Sequence, residues 1–141
     1  MEYAIHTLLN RTAHRMQNDL RPRLAALGLS PGQPKVLRCL VTHGPCSQRM
    51  LADYCEVDPS AICRVLDSME RAGLLCRRPS KNDRRTDEIA ITEKGRRVFA
   101  AAERSFQACE DQLLQGFSEE ERARLQQMLT RMYRNLGGRI I

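Results

Sequence analysis

Apolar side chains recur every three or four residues along most of this chain, which is the period of an amphipathic helix. The first helix is predicted to run to Leu27, with Gly28 closing it and Pro22 bending it or ending its first part. A capping box of Ser30 and Gln33 predicts the start of the second helix, which stops at Gly44-Pro45. The predicted buried face of this second helix comprises Val36, Leu37, Leu40 and Val41.

Two further helices follow at short intervals. Ser47 is suited to cap a third helix that reaches Tyr54. Asp58, followed by proline, opens a fourth helix that Gly73 ends. The apolar face of the fourth helix comprises Ile62, Val65, Leu66 and Met69. Two short helices joined by a tight turn predict a helix-turn-helix.

The apolar period changes after Gly73. Residues 74–78 and 88–91 are short strand candidates, and the polar segment between them is a hairpin loop. Thr92 then begins a helix that extends to about Gly116, and a capping box of Ser118 and Glu121 begins a last one. The sequence therefore predicts a mostly α fold with a small β-wing, a winged helix-turn-helix flanked by N- and C-terminal helices.

Positive charge is concentrated in and beside the predicted wing. The 141 residues carry a formal net charge of +6. Between residues 71 and 85 stand six basic residues and one acid, a local charge of +5. Ser60, Arg64, Asp67 and Arg71 form a second, polar stripe on the fourth helix, opposite its apolar face. Such a stripe is often only a solvated face, but next to a basic wing it favours contact with DNA. Aromatic residues make up 4% of the chain, which disfavours recognition by base stacking.

Several segments resemble the MarR/SlyA family of regulators. The resemblance rests on residues 51–52, 57–60, 64–74, 78–85 and 91–95, including a D-x-R pattern at Asp83 and Arg85 followed by I-T-x-x-G. It implies one MarR-type domain over residues 1–141, with residues 30–95 as the DNA-binding lobe and residues 1–29 and 96–141 as dimerisation helices. It further implies a homodimer that reads a palindromic double-stranded operator, acts as a repressor, and is released by a small molecule or an oxidant.

The resemblance also assigns roles to individual residues. It places Ser60, Cys63 and Arg64 on the recognition helix, and puts Arg85 in the minor groove, oriented by Asp83. The full set expected to contact DNA is Ser47, Ser60, Ala61, Cys63, Arg64, Arg77, Lys81, Asp83, Arg84 and Arg85. A pocket lined by the first, second and fifth helices is implied for a small aromatic, often phenolic, effector.

The six cysteines leave other signals open. No C-x-x-C motif occurs, no secretory signal is recognisable, and no apolar run is long enough for a membrane, so we expect a cytoplasmic protein with reduced thiols. Cys63 and Cys76 stand next to arginines, a setting that favours redox sensing. Cys39 and His43, four residues apart, offer a weaker case for metal sensing.

A helical scaffold that does not bind DNA would leave the charged wing unexplained. No catalytic motif is present, so neither an enzyme nor a cofactor is expected.

Overall fold

The computed structural model describes residues 2–82 and 85–140, which form six helices and a two-stranded antiparallel sheet. The elements in chain order are α1 (Ile5–Ala26), α2 (Gln33–His43), α3 (Gln48–Cys55), α4 (Pro59–Arg71), β1 (Leu75–Pro79), β2 (Asp87–Ile91), α5 (Glu93–Leu113) and α6 (Glu119–Asn135). The chain divides into two compact units, residues 1–106 and residues 107–141. The predicted fold class, mostly helical with a small β-wing, is confirmed.

Most of the predicted helix ends are confirmed. They depend on hydrogen bonds between residues close in sequence, which can be predicted from the sequence alone. Ser47 accepts the amide hydrogen of Met50 at 3.1 Å and caps α3. Asp58 does the same for α4 with the amide of Ala61 at 2.8 Å. Gly73, at the end of α4, adopts φ +77°, a left-handed conformation that glycine reaches without strain.

Three details of the first two helices differ from the sequence prediction. Pro22 lies inside α1 and does not end it. Because proline has no N–H, one carbonyl of the preceding turn lacks its helical partner. Pro22 is exposed, so water can hydrogen-bond to that carbonyl instead. The Ser30 side chain does not cap α2, which begins at Gln33, and only one bond of the predicted capping box forms, from the Ser30 amide to Gln33 Oε1 at 3.1 Å. In a helix starting at Pro31, the Ser30 carbonyl would accept the first helical hydrogen bond from the amide of Pro34, and proline has no amide hydrogen. Val41 was predicted to be buried but is 39% exposed, whereas Cys39 of the same helix is fully buried.

The unit of residues 1–106 has a dense apolar core. Its largest fully buried side chains come from α2, α3, α4 and both strands, and include Leu37, Leu51, Leu66, Leu75 and Ile89. Strand β1 pairs with β2 in an antiparallel register that runs from Leu75 opposite Ile91 to Pro79 opposite Asp87. Cys46 forms an isolated bridge with Ile89, on the edge of β2 that faces away from β1. The wing is thus built onto the core of the helix-turn-helix.

The unit of residues 107–141 is held by local interactions. Ser118 and Glu121 form both bonds of the predicted capping box at the start of α6. Every residue of α6, all of them within the described chain, is at least partly exposed. The large apolar residues left exposed here are Leu113, Phe117, Met128, Leu129, Tyr133, Leu136 and Ile140. None of the helices formed by the described residues has the length and apolar character needed to cross a bilayer.

Candidate nucleic-acid interface

The first turn of α4 is fixed by a network centred on Asp58. The Ser60 hydroxyl donates to the Asp58 carboxylate at 2.6 Å, beside the bond from the Ala61 amide. These bonds, the one from Ser60 above all, hold the pKa of Asp58 below its usual range. Since the Ser60 hydrogen is donated inward, the hydroxyl oxygen presents lone pairs to an incoming donor.

The outer face of α4 is polar and open to solvent. Ser60, Arg64, Asp67 and Arg71 are all exposed, as the stripe in the sequence predicts, and Ala61 and Cys63 are half-buried beside them. The opposite face packs Ile62, Leu66 and Met69 into the core. Burial of one face therefore fixes which side chains the other face offers to a partner.

Arg77 connects the wing to α4. Its guanidinium donates to Asp67 at 2.7 Å and to Glu70 at 3.0 Å, and its backbone amide donates to Glu70 at 3.1 Å. Burial works against the charge of Arg77, but the bonds to these two carboxylates outweigh it and raise the pKa of Arg77. The sequence prediction placed Arg77 with the DNA-contacting residues and did not anticipate this link. The three-residue spacing of Asp67 and Glu70, which puts both on one helix face, was the available signal.

The remaining basic residues of the wing differ in their surroundings. Arg78 donates to Glu88, its partner across the two strands, at 2.7 Å. Lys81 and Arg85 are exposed in the loop. The predicted residues Asp83 and Arg84 lie outside the described part of the chain. Of the basic residues of the wing, Arg77 and Arg78 pair with carboxylates in and beside the wing.

Ser47 and Arg77 line one cleft of about 310 Å³. The rest of its lining comes from the first turn of α3, from β2 and from the residue before β2, and comprises Gln48, Arg49, Thr86, Asp87 and Ile89. Of the residues predicted to contact DNA, Ser47 and Arg77 therefore share this cleft.

A larger cavity of about 570 Å³ lies within residues 1–106. It is lined by α1 and α2, by the segment that joins them, and by Phe106 of α5; the lining residues are Gln17, Leu20, Arg21, Leu24, Ala25, Leu29, Ser30, Pro31, Pro34, Lys35, Arg38 and Phe106. Arg38 donates to Glu103 of α5, an ion pair that the sequence prediction missed. The cavity combines apolar walls with cationic side chains, which suits a small organic ligand.

The cysteines divide by accessibility. Cys76 is exposed and Cys63 half-buried, whereas Cys39, Cys46, Cys55 and Cys109 are buried. A hydrogen bond to Cys46 raises the pKa of Cys39 and lowers that of Cys46. His43, the suggested metal partner of Cys39, is exposed and packs edge-on against the ring of Tyr54. Within residues 2–82 and 85–140, no three His, Cys, Asp or Glu side chains group as a metal site.

Comparison with known proteins identifies related regulators. The model of the MarR family matches residues 29–86. The HTH-type transcriptional repressor MdtR of Bacillus subtilis is 27% identical over 117 residues, which cover 83% of this chain and 76% of MdtR. The crystal structure of transcriptional regulator PA3341 is 34% identical, covers 96% of this chain and 100% of its own, and has a TM-score of 0.83. The transcriptional repressor CouR, bound to a 23-mer DNA duplex, is 28% identical with 92% of each chain covered and a TM-score of 0.82.

Proposed function

This chain belongs to the MarR family of transcriptional regulators, and we propose that it binds a palindromic double-stranded operator as a homodimer and represses transcription. The observation that carries the proposal is the surface formed by α4 and the wing. An exposed polar helix face and a basic loop are joined into one unit by the bonds of Arg77 to Asp67 and Glu70. A helix of this kind fits the major groove, and a basic wing fits the neighbouring minor groove.

Each residue of this surface has a proposed role. Ser60 and Arg64 contact base edges, with Ala61 and Cys63 against the groove wall. Ser47 and Lys81 contact phosphates, and Arg84 and Asp83 assist Arg85, which enters the minor groove. Arg77 holds the wing against α4 and so acts as a positioning residue.

The homodimer is supported by the apolar residues that a single chain leaves exposed. Ile5, Leu8 and Leu9 of α1 are between 46% and 76% exposed. Residues 107–141 carry exposed apolar residues of their own, among them Phe117, Leu129 and Leu136. Exposed apolar surface of this extent is typical of a protein interface, and a two-fold dimer is the commonest way to cover it.

A titration against selected duplexes tests operator binding. Binding sites are selected from random duplexes, and the affinity for the selected site is measured at several salt concentrations. We expect affinity to fall steeply with salt and Arg85→Ala to weaken binding by about tenfold or more, without loss of thermal stability. Arg124→Ala removes the same charge from α6 and serves as the control. Equal binding by the Arg85→Ala variant and the parent would refute the role of the wing.

We further propose that a small aromatic effector occupies the cavity between α1, α2 and Phe106 and releases the operator. The volume of about 570 Å³ lies in the range of small-molecule sites, and its walls are largely apolar. Addition of aromatic compounds to the protein–operator complex tests this. Release that is lost when Leu24→Trp fills the cavity supports the proposal, and release that persists in the filled variant contradicts it.

An oxidant is the second candidate signal, supported by the partial exposure of Cys63 on α4, the helix proposed to face the operator. The Cys63 thiolate attacks one oxygen of hydrogen peroxide, the O–O bond breaks and hydroxide leaves, and the resulting sulfenic acid adds bulk where the helix approaches DNA. Cys63→Ser keeps the size and removes this chemistry. We expect the parent to lose its operator in mild peroxide and the serine variant to keep it, with Cys76→Ser as the control. A parent that ignores peroxide would exclude this signal.

A further inference from the structure

We propose that Thr92 and Lys94 determine which spacing between operator half-sites the protein accepts, because they fix the end of α4 against the start of α5. The inference rests on the homodimer and the palindromic operator proposed above. It adds two positioning residues, which act on operator choice through the placement of α4 and without a contact to DNA.

The backbone carbonyls just after α4 accept hydrogen bonds from residues at the start of α5. The Lys94 ammonium donates to the carbonyl of Ala72, the residue that follows α4, at 2.7 Å. The Thr92 hydroxyl donates to the carbonyl of Gly73 at 2.6 Å, and the Thr92 amide donates to that of Leu74 at 3.1 Å. Three successive carbonyls are therefore held by residues that lie beyond the whole wing in the sequence.

The charge of Lys94 suits this position. The C-terminal end of a helix carries a partial negative charge, and a cation placed there stabilises the helix. A charged donor also makes a stronger hydrogen bond than a neutral one. Lys94 is exposed, yet its bond to the Ala72 carbonyl holds the ammonium at the end of α4. The ammonium therefore acts as a charged cap that α5 supplies to α4.

Thr92 joins the two helices through one hydroxyl group. Its hydrogen is donated to Gly73, while its oxygen accepts the amide hydrogen of Gly95 at 3.0 Å and caps the first turn of α5. Gly95 is buried, and a Cβ there would collide with the Leu74 carbonyl oxygen and the Ile91 side chain. The shared hydroxyl and the close packing at Gly95 thus leave α5 little freedom to move relative to the end of α4.

This junction relates the proposed recognition helix to the proposed dimer interface. Helix α5 continues from Glu93 to Leu113, and residues 96–141 belong to the helices expected to form the dimer. In a two-fold dimer, the separation and direction of the two α4 helices decide which half-sites both can read at once. One inserted base pair displaces a half-site by about 3.4 Å and rotates it by about 35°. A junction that holds α4 firmly on α5 therefore restricts the dimer to one spacing.

Competition between two duplexes for the full-length protein tests the inference. The first carries the selected palindrome, and the second carries the same half-sites with one base pair inserted at the centre. We expect the parent to prefer the first by about tenfold or more. Thr92→Val removes the hydroxyl and Lys94→Met removes the ammonium, each with little change in size. Each variant should reduce the preference to about threefold or less, because α4 can then adjust to both spacings.

Two control variants separate positioning from other effects. Thr92→Ser keeps the hydroxyl and should keep the preference of the parent. Arg97→Met removes a positive charge from the following turn of α5, where the side chain is 68% exposed, and should also keep the preference. A phosphate contact by Lys94 would instead lower the affinity of Lys94→Met for both duplexes and its salt slope by about one, with the preference unchanged.

The outcomes distinguish this inference from the proposed function. An unchanged preference in both Thr92→Val and Lys94→Met would overturn the inference, and so would a parent that binds the two duplexes equally. In either case the protein still binds its operator, so the proposed function stands. A parent that binds no selected duplex would overturn the proposed function and the inference with it. Melting curves verify that each variant is folded, and Lys94→Met, at an exposed position, carries the test if Thr92→Val unfolds.

Discussion

The lobe predicted to bind DNA and the terminal helices differ in how far they bury their apolar residues. In the lobe, Leu37 and Leu66 are 0% exposed. In α6, by contrast, Leu129 is 42% exposed, although it belongs to an equally regular apolar stripe. The same kind of helical pattern therefore yields a complete core in one region and an uncovered surface in the other. The comparison indicates that the lobe completes its own core, whereas the terminal stripes would be covered in the homodimer proposed above.

The largest expected effect is in the core of the lobe. Leu37→Ala should reduce the free energy of unfolding by about 2–5 kcal/mol, because it removes buried methyl groups and leaves a cavity. Val41→Ala, on the same helix but exposed, should cost less than about 1 kcal/mol. Denaturant unfolding at two protein concentrations measures both. A loss for Leu37→Ala that varies strongly with concentration would show that the lobe is not self-contained.

The next effect should be confined to association. Leu129→Glu places a carboxylate in the proposed dimer interface and should weaken the dimer by roughly 100-fold or more, since an unpaired buried charge costs several kcal/mol. Sedimentation at micromolar concentration should detect a monomer. Gln127→Glu adds the same charge two residues away, and we expect it to remain dimeric. If Leu129→Glu sediments like the parent, the α6 stripe is not the interface.

A smaller effect tests whether the lobe is also organised at its surface. Arg77→Ala should weaken operator binding about three- to tenfold and lower the free energy of unfolding by less than about 1 kcal/mol, because both carboxylates that it pairs with are more than 40% exposed. A positioning residue leaves the salt dependence of binding unchanged, whereas a lost phosphate contact reduces the salt slope by about one. Arg78→Ala, which breaks only a bond within the sheet, is the control.

The smallest effect concerns the cap of α4. The pKa of Asp58 is lower in the folded protein than its ordinary value of 3.8. The Asp58 charge therefore stabilises the fold fully at pH values above 3.8, and this contribution is lost as the pH falls through the lowered pKa. Asp58→Asn keeps a capping oxygen without the charge. The melting temperatures of the parent and of Asp58→Asn, measured between about pH 2 and pH 6, should therefore converge at the acid end of this range. A constant difference across this range would assign the effect to geometry alone.

Local chemistry explains the elements that were predicted correctly. Ser47, Asp58 and Ser118 begin helices because each side chain accepts an amide hydrogen three residues further along the chain. Gly73 ends a helix because it can adopt a positive φ. These interactions join residues that are close in sequence, so the sequence alone determined the order of the elements, the fold class and the exposed polar face of α4.

Contacts between distant residues decided the rest. Periodicity could not distinguish Cys39 from Val41 on α2, because the neighbours of that helix determine which part of its apolar arc is covered. The bonds of Arg77 to α4 depend on where β1 lies against that helix. Arg38 meets Glu103 across 65 residues of chain. Charge and spacing in the sequence identified the residues available for function, but only the packing of the elements determined which charges pair within the protein and which side chains stay exposed.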